Sequence, residues 1–88
     1  MEPVYTFGYK LAELTKQNES ACVGLLCLAI KDAGKTTQQM GYLDYKEVIH
    51  NFLPKRLEKI KVANLDKVIS DLEETLTQKQ SVFTMSIQ

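Results

Sequence analysis

The sequence carries no excess charge, because eleven Lys and Arg residues balance eleven Asp and Glu residues. A nonspecific binder of nucleic acid or of a membrane surface needs surplus positive charge, so both classes would depend on a local patch. Long apolar runs are also absent, and the longest, residues 21–30, has about half the length of a membrane-spanning helix. The first residues, Met1 to Pro3, lack the basic region and apolar run of a secretory signal. These absences predict a cytoplasmic protein that does not associate with membranes.

Side chains that perform chemistry are few. The only cysteines are Cys22 and Cys27, and the only histidine is His50. Five residues apart on a helix, the two cysteines point about 140° apart around its axis, which predicts two reduced thiols and no disulfide. A zinc site needs more donors than these, and four scattered glycines form neither a Walker loop nor a dinucleotide-binding fingerprint. We expect a protein that is not an enzyme, with no catalytic residue, no metal site and no cofactor.

One local pattern is similar to part of a metal site. The segment from Gly41 to Glu47 resembles the second half of an EF-hand calcium loop, with the glycine at the turn and the glutamate as the last ligand. Counting back, the first three side-chain ligands would be Thr36, Gln38 and Met40, and none of them is a carboxylate. The pattern therefore favours a polar loop, a glycine turn and the start of a helix.

Apolar periodicity and capping signals predict two helices in the first part of the chain. The first runs from Pro3 to about Gln17, and the second is capped by Asn18 or Ser20 and ends before Gly34. The second helix is apolar along most of its length and has no polar side. We expect it to lie at the centre of the fold with neighbours all round.

Two more helices are predicted in the second part. The third starts near Asp44, which together with Glu47 matches an acidic variant of the capping box. Its apolar stripe continues past Pro54, where the missing N–H and the crowded ring should kink the helix. Asn64 is expected to cap a fourth helix that ends at about Lys79. The predicted fold is all-α, a small four-helix bundle whose third helix is kinked at Pro54.

The two ends of the chain leave one alternative open. Apolar and polar side chains alternate in residues 4–9 and again in residues 80–88, which is the pattern of short strands. These segments could pair as terminal strands instead of extending helices. No repeat or linker divides the sequence, so residues 1–88 are predicted to form a single helical domain.

Tyrosine is favoured at protein interfaces, because its ring buries a large area while its hydroxyl stays hydrogen-bonded. Two tyrosines lie one helical turn apart near the N-terminus, and two more lie near the start of the third helix. A methionine in the loop before them offers an adaptable thioether. The predicted partner-binding residues are Tyr5, Tyr9, Met40, Tyr42 and Tyr45.

Positive charge is concentrated in residues 35–61, which carry six Lys or Arg against three acids. Part of it forms a basic patch, and this patch could follow a phosphate backbone or meet an acidic protein surface. No aromatic side chain is interleaved to stack on bases, so nucleic-acid binding is the less favoured use. The basic patch consists of Lys55, Arg56, Lys59 and Lys61.

The fourth helix separates charge from an apolar seam. Its acidic group, Asp71, Glu73 and Glu74, is expected to pair with basic residues of the third helix, either in the same molecule or in a partner. The seam has coiled-coil spacing over two heptads and is a candidate dimer contact. It consists of Leu65, Ile69, Leu72 and Leu76.

These patterns predict a noncatalytic protein-protein interaction module, such as an adaptor, inhibitor or regulatory subunit, that works as a dimer or as part of a complex. A domain this small gains stability when it binds a partner, and without a catalytic constellation its function is expected to be that binding. That partner would be another protein or a second copy of the chain. The alternative hypothesis is a nucleic-acid-associated regulator that uses the basic patch.

Overall fold

The computed structural model describes residues 2–80 and Phe83, and all regular structure in that part of the chain is helical. Residues 42–59 pass through three helical elements without a break, so they form one long helix, which is the predicted third helix. The prediction of an all-α bundle of four helices is therefore confirmed. The elements are α1 (Pro3–Thr15), α2 (Glu19–Asp32), a 3-10 turn (Thr37–Gln39), α3 (Tyr42–Glu47), a π-helical segment (Val48–Phe52), α4 (Leu53–Lys59) and α5 (Leu65–Gln78).

α1 occupies a segment that could also have been a strand. Its first turn holds a proline, whose missing N–H costs no hydrogen bond there, and Phe7 is completely buried on its inner face. The strand interpretation of residues 4–9 is therefore wrong, because burial of one helical face outweighs the local alternation. Of residues 80–88 the structure describes Gln80 and Phe83, both in helical conformation, and the others lie outside the described residues.

The ends of α2 are set by local caps at both predicted positions. The Asn18 side chain accepts a hydrogen bond from the backbone N–H of Ala21 at 3.0 Å. At the other end Gly34 has a φ of 73°, and the N–H of Lys35 donates to the carbonyl of Ile30 at 3.1 Å. This Schellman ending needs a residue that tolerates positive φ.

α2 is buried on one side only. Leu26 and Ile30 lie in the core, whereas Leu28 is 44% exposed and Gly24, one turn before it, is exposed as well. The expectation of a central helix covered all round is therefore wrong. The other helices pack on one flank of α2 and leave the opposite flank to solvent.

Pro54 distorts the third helix without ending it. In the π-helical segment before it, the N–H of Leu53 donates to the carbonyl of Val48, one residue further back than in an α-helix. Pro54 itself has no N–H to donate, and its ring crowds the preceding turn. The irregularity expected at Pro54 is present as this wider turn, and the chain remains helical on both sides of it.

Two caps differ from the predicted ones. α3 begins with Gly41 as its N-cap, and Oδ2 of Asp44 accepts the Gly41 N–H at 2.9 Å. Asp44 therefore supplies the reciprocal half of a capping box instead of being the cap, and Glu47 is the last residue of α3. Asn64 is the N-cap of α5, but its backbone is left-handed, with a φ of 55°, and its side chain makes no capping hydrogen bond.

The inner faces of the helices meet in one core that includes the apolar seam of α5. Leu72 is completely buried and Leu76 almost completely. Leu65 and Ile69 are partly buried and pack against the same core. The seam is therefore used within the chain and does not provide the predicted dimer contact. Within residues 2–80, no helix is long and apolar enough to cross a membrane.

Candidate functional site

The outer side of α1 carries two exposed aromatic side chains. Tyr5 is 42% exposed and Tyr9 is 38% exposed, and their ring centroids lie 6.1 Å apart. Both rings lie on the side of α1 opposite to Phe7 and Leu11, which are completely buried. We call Tyr5 and Tyr9 the tyrosine face.

A shallow depression of about 570 Å³ runs along α1 beside Tyr9. Its rim carries charges of both signs, from Lys10 and Lys79 and from Glu13 and Glu19, and the Lys10 amine lies 3.7 Å from the Glu13 carboxylate. Aromatic side chains surrounded by a charged rim are typical of protein interfaces. A small ligand would need a deeper and more enclosed pocket.

Tyr45 does not lie on the surface with Tyr5 and Tyr9. It is 1% exposed, and its ring packs 5.5 Å from the ring of Phe7 and 5.5 Å from that of Phe83. Burial raises the pKa of Tyr45 to about 12, with smaller contributions from Cys27 and Glu2. Its hydroxyl has no hydrogen-bond partner among the described residues. Tyr45 is therefore a core side chain that a partner cannot reach.

Met40 and Tyr42 are half-buried against the same end of the core. The Tyr42 hydroxyl lies 3.4 Å from Oγ1 of Thr77, and its ring meets Phe83 edge-on with centroids 6.1 Å apart. The five predicted partner-binding residues thus divide into two groups, and only Tyr5 and Tyr9 are exposed. Sequence reasoning missed this aromatic cluster, because Phe83 is distant along the chain.

The basic patch is partly neutralised within the chain. Nε and Nη2 of Arg56 each donate to one carboxylate oxygen of Asp32 at 2.8 Å, which ties α4 to the end of α2. This hydrogen bonding holds the pKa of Asp32 below its usual value, and the charge of Lys59 acts in the same direction. Lys55, Lys59 and Lys61 remain exposed. The three lysine amines of the patch are therefore exposed to solvent, whereas its one guanidinium is hydrogen-bonded to a carboxylate.

Asp44, within the segment that resembles half of a calcium loop, is also engaged. Lys35 donates to its Oδ1 at 3.0 Å while Gly41 donates to Oδ2. The Gly41 hydrogen bond, followed by that from Lys35, holds the pKa of Asp44 below its usual value. Among the residues that the structure describes, no group of three or more His, Cys, Asp or Glu side chains could hold a metal ion.

His50 forms a polar contact between the third helix and α5. Its Nδ1 lies 2.8 Å from Oε1 of Glu73, at the edge of a groove of about 350 Å³ whose lining includes Ser70 and Asp66. Of the acidic group, Glu73 contacts the third helix, whereas Asp71 pairs with Lys67 of α5 itself at 3.3 Å. The His50 side chain is 67% exposed, so this pair is solvated and lacks the water-excluded setting of an acid-base centre.

The thiols sit on the inner and flanking sides of α2. Cys22 is buried with its Sγ 3.8 Å from Oγ1 of Thr15, Cys27 is half-buried, and both are free cysteines. The prediction of two reduced thiols with no disulfide between them is confirmed. Buried, unbonded thiols of this kind behave as small apolar side chains.

These features define the protein as a small helical bundle in which several charged side chains, such as Arg56 and Asp32, pair with one another and whose exposed aromatic side chains lie on α1. No family model, no curated protein and no solved structure matches the chain. A proposal for the function therefore depends on which side chains the chain exposes at its own surface.

Proposed function

We infer that the protein is a cytoplasmic, noncatalytic protein-protein interaction module, an adaptor, inhibitor or regulatory subunit, that works as a dimer or within a complex. The exposed pair of Tyr5 and Tyr9 on α1 carries this proposal. Exposed tyrosines offer a partner a large apolar area at a small cost in side-chain entropy, and their hydroxyls reach the polar rim. The tyrosine face is the contact surface.

The state of the other candidates supports the same function. Arginine is the residue best suited to bidentate phosphate contact. The guanidinium of Arg56 already donates two hydrogen bonds to Asp32, which makes it less available to a phosphate. His50 and Glu73 form a solvated pair. Nucleic-acid binding through the basic patch, Lys55, Arg56, Lys59 and Lys61, stays the alternative, and it makes a different experimental prediction.

The test is capture from native lysate with the tagged full chain, with and without nuclease, read by quantitative mass spectrometry. We expect a stoichiometric protein partner that survives nuclease, and we expect the double variant Tyr5→Ala/Tyr9→Ala to lose it. The matched control is Leu43→Ala, which removes an apolar side chain that is 73% exposed on α3. All three proteins should show the same helical circular dichroism.

Two outcomes contradict the proposal. Capture that disappears with nuclease and with Lys55→Glu/Lys59→Glu would assign the protein to the nucleic-acid class. A protein partner that is retained by the double tyrosine variant, but lost with Leu43→Ala, would place the contact surface on α3 instead of α1.

A further inference from the structure

The third helix and α5 run antiparallel and leave a groove between them. Tyr42, at the start of the third helix, contacts Thr77 near the end of α5, and His50, two turns later, contacts Glu73, one turn earlier on α5. The groove has a volume of about 350 Å³ and extends from the contact between His50 and Glu73 toward the loop that joins the two helices. We call it the α5 groove.

The floor of the α5 groove is apolar. It is lined by Pro54 of the third helix and by Leu65 and Ile69 of α5, and all three are half-buried. Leu65 and Ile69 pack against the core on one side and border the groove on the other. Such a floor can take up an aliphatic side chain, or the methylene stem of a long charged one, and covering it with a partner is favourable.

The end of the groove next to the loop carries two carboxylates. Glu58 of α4 and Asp66 of α5 both line the groove, and both are exposed. In the described part of the chain neither of them forms a salt bridge. Lys55 and Lys59 are close to Glu58 in sequence, but the described lining of the groove includes no lysine or arginine. A cation placed between these two like charges would be attracted by both.

The chemistry of the lining narrows the kind of cation. At the other end of the groove Glu73 is already in contact with His50, so the carboxylates open to a partner are Glu58 and Asp66. The residues that the structure describes contain no group of three or more side chains that could hold a metal ion. A guanidinium is planar and has five donors, so it can serve two carboxylates that are too far apart to share a metal.

We propose that the α5 groove binds a basic segment of a partner protein. An arginine of that segment places its guanidinium between Glu58 and Asp66, and an aliphatic side chain of the same segment lies on Leu65 and Ile69. Charge complementarity selects this partner, because the groove joins acidic groups to an apolar floor. The groove is formed by the third helix and α5, whereas the tyrosine face lies on α1. It is therefore a second contact surface, beyond the one in the proposed function.

The first experiment uses a synthetic alanine-based helical peptide of about 20 residues, with one arginine and a leucine four residues after it on the same face. The full chain is labelled with nitrogen-15 and titrated with this peptide. We expect the amide signals of residues 54–58 and 65–73 to shift, and those of α1 to stay in place. A peptide with glutamine in place of the arginine should bind at least about tenfold more weakly, because the charge that the two carboxylates attract is gone.

The second experiment reverses the charge of the groove. Glu58→Lys/Asp66→Lys should lose the arginine peptide and should bind a peptide that carries glutamate in place of the arginine, since the pairs form again with their signs exchanged. The matched control is Glu47→Lys/Glu74→Lys, which makes the same charge change at exposed positions of the same two helices outside the groove. This control should bind the arginine peptide as the wild type does, and circular dichroism should show the same helical content in all three proteins.

Several outcomes overturn the α5 groove as a site for a basic segment. These are the absence of shifts with the arginine peptide, equal binding of the arginine and glutamine peptides, and failure of Glu58→Lys/Asp66→Lys to bind the glutamate peptide. Shifts at the groove with calcium chloride but not with the peptide would make the occupant a metal ion. A dimer of the wild type in sedimentation that only Glu58→Lys/Asp66→Lys abolishes would make it a second copy of the chain.

This inference and the proposed function can fail separately, because they concern different helices. Tyr5→Ala/Tyr9→Ala should bind the arginine peptide as the wild type does. If that variant also retains every protein captured from lysate, the tyrosine face is overturned and the α5 groove stands. If it loses a captured partner while the wild type shows no shifts with the arginine peptide, the tyrosine face stands and the α5 groove is overturned.

Discussion

At the scale of single residues, Gly8 sets the distance between α1 and α2. A Cβ atom at this position would lie 2.5 Å from Cγ2 of Val23 and 2.9 Å from its Cα. The Cα belongs to the backbone of α2 and cannot rotate away, so a larger residue would force the helices apart. Gly24 differs, because in the described part of the chain a Cβ there would meet nothing within 4 Å.

This contrast predicts opposite effects of one substitution. Gly8→Ala should lower the free energy of unfolding by about 1–2 kcal/mol, because overpacking outweighs the gain in helix propensity. Gly24→Ala should raise it by about 0.5–1 kcal/mol, because only the propensity term remains. Urea unfolding followed by circular dichroism measures both. Equal effects at the two positions would mean that α1 and α2 do not approach closely at Gly8.

The tyrosines show why the candidate site could be predicted only in part. Residue type and helical spacing indicate that Tyr5 and Tyr9 lie on one face of a helix, and this holds in α1. Nothing local separates them from Tyr45, which is buried by Phe7 and Phe83. Which tyrosines remain exposed is decided by contacts between distant parts of the chain, and the local sequence does not encode these.

At the scale of elements, Asp44 joins the end of α2 to the start of α3. Its two carboxylate oxygens accept hydrogen bonds from Lys35 and from the N–H of Gly41, so one side chain closes the loop and supplies the reciprocal hydrogen bond of the capping box. Caps formed by neighbouring residues, such as Asn18 on Ala21, are predictable because both partners are close in sequence. The sequence pattern indicated Asp44 as the N-cap of this helix. The actual N-cap is Gly41, which has no side chain that would mark the position as a cap.

Replacing Asp44 should weaken this junction in a pH-dependent way. Asp44→Ala should lower the free energy of unfolding by about 1 kcal/mol at pH 7, as loss of a helix cap does. The folded-state pKa of Asp44 is lowered from 3.8, so its stabilisation is present above pH 3.8 and is lost as pH falls through the lower folded value. Urea unfolding from pH 7 to pH 2 should therefore show a smaller acid-induced loss for Asp44→Ala than for the wild type.

Asp44→Asn separates the two contributions of this carboxylate. The amide oxygen can still accept the Gly41 N–H, whereas the charge that attracts Lys35 is gone. Its stability at pH 7 should fall between those of the wild type and Asp44→Ala. If Asp44→Asn and Asp44→Ala are equally destabilised, the ion pair carries the effect and the capping hydrogen bond contributes nothing.

At the scale of the whole molecule, Phe83 joins the end of the chain to its beginning. Its ring stacks on Phe7 of α1, with centroids 6.1 Å apart and planes inclined by 9°, and also contacts Tyr42 and Tyr45 of α3. The helical class follows from periodicity within each element, but this closure joins residues far apart in sequence. The local alternation of apolar and polar side chains around Phe83 is a strand pattern and does not reveal this contact. In the structure the Phe83 ring is buried in a helical core.

Phe83 is consequently expected to contribute to the stability of the whole bundle. Phe83→Ala should lower the free energy of unfolding by about 3 kcal/mol, because it leaves a cavity beside three aromatic rings, and Phe83→Leu should cost less than half as much. Leu43→Ala, at an exposed position, should change stability by less than about 0.5 kcal/mol. Urea unfolding monitored by tyrosine fluorescence and by circular dichroism should give coincident transitions for all four proteins. A Phe83→Ala protein as stable as Leu43→Ala would show that the aromatic cluster is closed without Phe83, and that residues 2–80 hold the four helices together by themselves.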